Sequence, residues 1–109
     1  MTDSPSSDLS GKSVVVTAAG NGIGKAAALA FAKTGANVTV NDIRTDLVEA
    51  TVAEITQSGG TAHGVTADIT KAEAVQSLVD TAVETYGSLD VLFNEGPNAL
   101  MYLKNLVLV

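Results

Sequence analysis

Val14-Val15-Val16-Thr17-Ala18-Ala19-Gly20-Asn21-Gly22-Ile23-Gly24 decides how the chain is read. An apolar β-branched run ends in a turn of small residues, and that turn opens a helix. Such a turn suits an anion. The first turn of a helix has backbone N–H groups without intrahelical partners, with the positive end of the macrodipole behind them. A phosphate reaches those donors only where side chains stay out of the way, so glycine is favoured. Gly20, Gly22 and Gly24 are expected to give that access. Strand, small-residue turn and helix in this order are the layout of a dinucleotide-binding loop.

Spacing narrows the choice. Gly24-Lys25 has the dipeptide of a P-loop, but Ala19 stands where that motif needs its first glycine. Ala26 stands where it needs Ser or Thr to reach magnesium. The G-x-G-x-x-G spacing is missed as well. Asp42 follows Gly24 by eighteen residues, close to the roughly 20 expected of a ribose-binding acid. A carboxylate there accepts from the ribose hydroxyls of NAD and repels the extra phosphate of NADP. At ~4 Å and an intermediate dielectric, one like-charge pair costs up to ~4 kcal/mol. The alternative for Asp42 is a cap on the helix that follows. Arg44, close by, would soften the preference.

The rest of the chain alternates strand and helix. Ser13 to Thr17 is apolar on both faces, as a covered parallel strand requires. The first helix is expected over 22–34, with Ile23, Ala26, Ala27, Ala30 and Phe31 on its inner face. Asn37 to Asn41 is the second strand. The second helix is expected over 45–57, with Leu47, Val48, Val52 and Ile55 inward. Thr61 to Ala67 is the third strand. Thr70 and Glu73 form a capping box for a third helix. Its stripe is Val75, Leu78, Val79, Ala82, Val83 and Tyr86, and Gly87 ends it. Ser88 to Asn94 is the fourth strand. This is a Rossmann-like α/β fold: three layers, a parallel sheet in the order 3-2-1-4, four strands and three helices. The fourth strand would be an open apolar edge, so the chain is expected to be marginal or self-associating unless its tail pairs there.

Thr17-Ala18-x-x-x-Gly22-Ile23-Gly24 resembles the Thr-Gly-x-x-x-Gly-x-Gly loop of the short-chain dehydrogenase/reductase family. Ala18 replaces the first glycine, at a cost if that position needs φ > 0. Asp68-Ile69 is similar to the family's Asp-hydrophobic pair beside the adenine ring; the alternative is a turn before a helix. Asn94-Glu95-Gly96-Pro97 stands where the family has Asn-Asn-Ala-Gly, and only Asn94 carries over. Glu95 puts a charge where an amide is expected, and Pro97 removes a donor. The resemblance runs from Leu9 to Asn94. It implies NAD rather than NADP, held by Thr17, Ala18, Asn21, Gly22, Ile23, Gly24, Asp42, Asp68, Ile69 and Asn94. It implies hydride transfer between an alcohol or ketone and that cofactor in a complete enzyme.

The family's catalytic Ser and Tyr-x-x-x-Lys have no match. Tyr102 precedes Lys104 by two positions, and residues two apart do not share a helix face. No Ser follows Ser88. Without a Tyr whose pKa is lowered by a neighbouring Lys there is no proton donor, so no turnover by this chain is expected. The other readings are a non-catalytic nucleotide-binding or regulatory module and a truncated product without activity.

Composition sets the outer limits. With 109 residues there is one domain at most, and the net charge of −6 argues against a nucleic-acid partner. There are no cysteines, which fits a reducing compartment. Residues 1–8 form a Ser/Pro/Asp-rich tail without the layout of a signal peptide. The cofactor-binding half-domain is expected over 9–97. Residues 98–109 are an apolar tail, helix or strand, too short to span a membrane. The expected setting is the cytoplasm. His63, the only histidine, has no ligand spacing around it and is expected to be structural.

Overall fold

The computed structural model describes residues 8–94 and 107–108. The expectations for the N-terminal tail up to residue 7, for Glu95 to Pro97, and for Tyr102 and Lys104 lie outside the described residues. Strands β1 (Ser13–Val16), β2 (Asn37–Asp42), β3 (Thr61–Thr66), β4 (Val91–Phe93) and β5 (Val107–Leu108) alternate with helices α1 (Gly22–Lys33), α2 (Thr45–Gln57) and α3 (Ala72–Tyr86) up to β4. The sheet runs β3-β2-β1-β4-β5, and every pairing is parallel. The four longer strands take the expected order. The short β5 pairs with β4, Val91 opposite Val107 and Leu92 opposite Leu108, so the edge expected to be open is partly closed by the tail.

The strand period of two divides the core into two layers. Val14, Val16, Val38 and Val40 point to one face, where Ala28 of α1 and Val48 and Ile55 of α2 meet them. Val15 and Leu92 point to the other, against Leu78 and Ala82 of α3. The helices fall on the two faces as right-handed crossovers require. Phe31 and Phe93 extend the first layer edge to face, with ring centroids 6.1 Å apart.

Three helix readings need correction. α1 does not bury Ile23, Ala26 and Ala30. Gly24 and Ala28 are its buried positions, and Ile23 is 69% exposed. Alanine lies on every side of this helix, so periodicity had little contrast to work with; backbone approach at Gly24 sets the rotation. α3 starts at Ala72 with Lys71 as its cap and no capping side chain, so the Thr70–Glu73 box does not form. Asp68 takes the Thr70 N–H (3.0 Å) and hydroxyl (2.7 Å) instead. A local Asp turn of this kind competes directly with a cap. Val83, placed in the apolar stripe, is 41% exposed.

The amino end of the sheet is tied by backbone and by one carboxylate. Asp90 Oδ2 accepts the Ser13 N–H at 2.8 Å and the Ser88 hydroxyl at 3.0 Å. The Asp90 N–H donates back to the Ser13 carbonyl at 2.9 Å. The Ser13 N–H, with the Ser88 hydroxyl and Lys12 in lesser degree, holds the Asp90 carboxyl below its ordinary value. Among the described residues, no helix is long and apolar enough to cross a membrane.

Candidate functional site

The carboxyl ends of β1, β2 and β3 converge on the turn between β1 and α1. β1 enters it fully buried, and the Thr17 N–H continues the ladder to the Phe93 carbonyl at 3.0 Å. The Thr17 hydroxyl reaches Asn94 Oδ1 at 3.0 Å, so the first and last of the expected site residues are neighbours.

Ala18 then turns the chain. Its φ is 51°, and it is the one residue other than glycine with positive φ among the described residues. The cost anticipated for replacing glycine is therefore present, about 1–2 kcal/mol for an L side chain in this region. The turn leaves the Ala18 carbonyl against Gly24, where an added Cβ would collide with it. This contact is what requires glycine at position 24, and it lets α1 start directly over the end of β1.

Three groups hold the turn, and the periodicity of the sequence named none of them for this work. The Ala19 N–H donates to the Asn41 carbonyl at 2.7 Å. The hydroxyl of buried Thr51 donates to the Ala19 carbonyl at 3.0 Å. The Gly20 N–H donates to Asp42 Oδ2 at 2.9 Å. The Asn41 side chain also donates to the Val65 and Ala67 carbonyls at 3.1 and 3.3 Å, tying the end of β3 to β2. The one sequence signal for Asn41 and Thr51 was a polar residue among apolar neighbours of a packed element, which elsewhere marks a solvent face.

Beyond the turn, Asn21 is extended at the α1 cap and no side chain bonds the first turn. The N–H groups of Gly22, Ile23 and Gly24 thus keep the donor capacity of an uncapped helix end. An added Cβ at Gly22 would meet nothing within 4 Å. Gly20 differs from the expectation of open access: its missing side chain faces Leu47 and Asp42.

Asp42 ends β2, with its second oxygen accepting the Arg44 N–H at 3.2 Å. It does not cap α2, whose cap is Arg44. The Arg44 guanidinium is engaged elsewhere, 2.7 Å from Asp46, and it holds the Asp46 carboxyl below its ordinary value. Asp42, at the end of β2, and Asp68, two residues past β3, line one cleft of ≈ 150 Å³ together with Ala18, Asn41, Ile43, Ala67 and Ile69. Ile43 is 64% exposed there. The Thr70 hydroxyl and N–H, with Lys71 in lesser degree, hold the Asp68 carboxyl low, so it stays ionised beside the cleft.

The residues fit a dinucleotide on this geometry. There is a donor-rich helix end suited to a pyrophosphate, and a cleft whose lining includes Ile43, Ile69 and the Asp42 carboxylate. Ala18, Asp42, Asp68 and Ile69 are brought together in the cleft, with Asn21, Gly22, Ile23 and Gly24 at the helix end. Thr17 and Asn94 sit behind the turn.

Known proteins place this geometry. The sequence profile of the family described as short chain dehydrogenase matches residues 12–100. The 7alpha-hydroxysteroid dehydrogenase of Escherichia coli (strain K12) is 42% identical over 94 residues, 86% of this chain and 37% of that protein. A short relative from Bacillus subtilis (strain 168), the short-chain dehydrogenase/reductase homolog YusS, is 43% identical over 84 residues, 76% of this chain and 77% of its own length. A solved 7 alpha-hydroxysteroid dehydrogenase, complexed with NADH and 7-oxo glycochenodeoxycholic acid, superposes with a TM-score of 0.81 at 41% identity, covering 86% of this chain and 37% of that one. The chain thus spans about a third of the length of the first curated relatives it matches, 33% and 37%. The loop, the order of strands and the matched span agree, and the chain belongs to the short-chain dehydrogenase/reductase family.

Proposed function

We propose that the chain is the NAD-binding portion of a short-chain dehydrogenase/reductase, with residues 9–97 as the binding half-domain. One observation carries the reading: Ala18, Asp42, Asp68 and Ile69 line a single cleft beside the uncapped start of α1. In this reading the N–H groups of Gly22, Ile23 and Gly24 bind the pyrophosphate, and Ala18 and Asn21 shape its approach. The Asp42 carboxylate accepts the adenosine ribose hydroxyls. Asp68 and Ile69 flank the adenine, and Thr17 with Asn94 steadies the turn from behind. The bound cofactor would accept or deliver hydride at its nicotinamide. Preference for NAD follows from the carboxylate side chain of Asp42, which repels a 2′-phosphate. The paired guanidinium of Arg44 does little to offset that repulsion.

The alcohol or ketone substrate belongs to a complete enzyme, and no turnover is expected of these 109 residues. The absence of cysteine agrees with a reducing cytoplasm. Self-association would use the sheet edge beyond β4, which the two-residue β5 covers only in part.

Amide chemical shifts followed during titration with ADP-ribose test the site directly. Shifts concentrated at 18–24, 42–43 and 67–69 are the expected result. Shifts spread over α2 and α3, or none at millimolar ligand, would contradict it. A second reading, a nucleotide-binding module without catalysis, is favoured by the short-chain dehydrogenase/reductase homolog of which this chain covers 77%; measurable NAD reduction with a panel of alcohols would remove it.

A further inference from the structure

Gly20 has no settled purpose in a phosphate-binding turn. It is buried, and its missing side chain does not face the open helix end. A Cβ built on Gly20 would lie 2.5 Å from Leu47 Cβ, 2.7 Å from Asp42 Oδ2 and 2.9 Å from Asp42 Cγ. Leu47 Cβ is fixed to the backbone of α2 and has no freedom to swing away. The same glycine donates its N–H to Asp42 Oδ2 at 2.9 Å, while the Arg44 N–H holds Oδ1 at 3.2 Å. The Asp42 carboxylate is therefore gripped by two backbone donors, and it is in this place only because position 20 has no side chain.

We infer that Gly20 is a positioning residue for cofactor choice: it seats the Asp42 carboxylate against the turn, and so decides between a ribose with a free 2′-hydroxyl and one with a 2′-phosphate. The inference rests on the proposed NAD-binding role of Asp42. A side chain at position 20 displaces the carboxylate or pushes α2 outward through Leu47. Either movement weakens the acceptor that NAD uses and the repulsion that NADP meets. Binding of the pyrophosphate, which uses Gly22, Ile23 and Gly24, is left in place. The expected signature is a change in the ratio of the two affinities, which a general loss of packing does not produce.

The test is Gly20→Ala in the full chain, titrated with NAD and with NADP, with Asp42→Asn as comparator. NAD affinity is expected to fall about tenfold, the worth of one charge-assisted hydrogen bond, while NADP affinity holds or rises. Equal weakening of both, or an unchanged ratio, overturns the inference and leaves the NAD reading standing. A parent chain that does not prefer NAD overturns the proposed function and the inference with it. A second measurement covers a variant that does not fold. The Gly20 amide proton in the parent chain is expected to move upfield in Asp42→Asn by more than the Gly22 and Gly24 amides do. Equal movement of the three means that Gly20 does not grip the carboxylate, and overturns the inference.

Discussion

Asp42 and Asp90 sit at opposite ends of the same sheet and make the same local bond. Each carboxylate takes a backbone N–H from a neighbouring strand or its turn, Gly20 at 2.9 Å for Asp42 and Ser13 at 2.8 Å for Asp90. Their surroundings differ. Around Asp90 the hydrogen bonds close on the scaffold itself: Ser13 of β1, Ser88 in the connection before β4, and the return bond from its own N–H to Ser13. Asp42 is gripped from behind and lines a cleft in front. The hydrogen bond alone would class both as structural. In the proposed function, the cleft and the helix end make Asp42 a recognition group and leave Asp90 a clamp.

That contrast can be broken most severely at the turn itself. Gly24→Ala drives a methyl into the Ala18 carbonyl. A loss of about 2–3 kcal/mol is expected, with cofactor binding abolished while the Asp90 end stays intact. Urea melts of parent and variant, with calorimetry for binding, check both halves of that statement.

Next comes the exchange between the two acids. Asp90→Ala leaves the buried Ser13 N–H without its acceptor and is expected to cost about 1–3 kcal/mol, read as a lowered melting temperature with NAD affinity unchanged. Asp42→Asn is expected to do the reverse: little change in melting, and an NAD-to-NADP ratio reduced about tenfold or more. If both variants lower melting and neither alters the ratio, the distinction between the two ends fails.

Acid sharpens the same comparison. The folded-state pKa of Asp90 lies below its ordinary 3.8. Its contribution is therefore complete above the unfolded value and is lost as pH falls through the folded one. The melting gap between parent and Asp90→Ala should be full at pH 6 and close as the pH drops below about 3.8. A gap that persists at low pH would mean that the Ser13 bond does not depend on the charge.

His63 supplies a smaller effect. Burial pushes its pKa below the ordinary 6.5. Its ring packs edge to face on Tyr86 at 5.1 Å, and burial raises the Tyr86 hydroxyl pKa in turn. A depressed histidine favours the neutral form when folded, so stability falls as pH drops through about 6.5 towards the folded value. His63→Phe is expected to flatten the melting profile between pH 5 and 7 by about one or two degrees. An unchanged slope would assign that window to other groups.

Much of this was legible in the sequence because strands and their order leave a strong mark. Val14, Val16, Val38 and Val40 alternate or run together as a covered parallel sheet demands, and all four are buried. The turn was legible through Gly24, and the positive φ of Ala18 was foreseen as the risk of replacing glycine. Helix rotation was not, because Ala26, Ala27, Ala28 and Ala30 look alike to any periodicity. The supports of the turn were hidden for another reason. Thr51 and Asn41 act through hydrogen bonds to backbone atoms, which carry no residue identity to read. Asp68 forms the local turn with Thr70, one of its two readings, and also lines the cleft on which the proposed adenine contact rests.

The most direct test is calorimetric titration of the unmodified chain with NAD and, separately, with NADP at the same pH and ionic strength. The expected result is one site per chain for NAD, with NADP weaker by about tenfold or more, as repulsion by Asp42 requires. Equal affinities would contradict the role of Asp42, and no heat with either would contradict the cofactor site altogether.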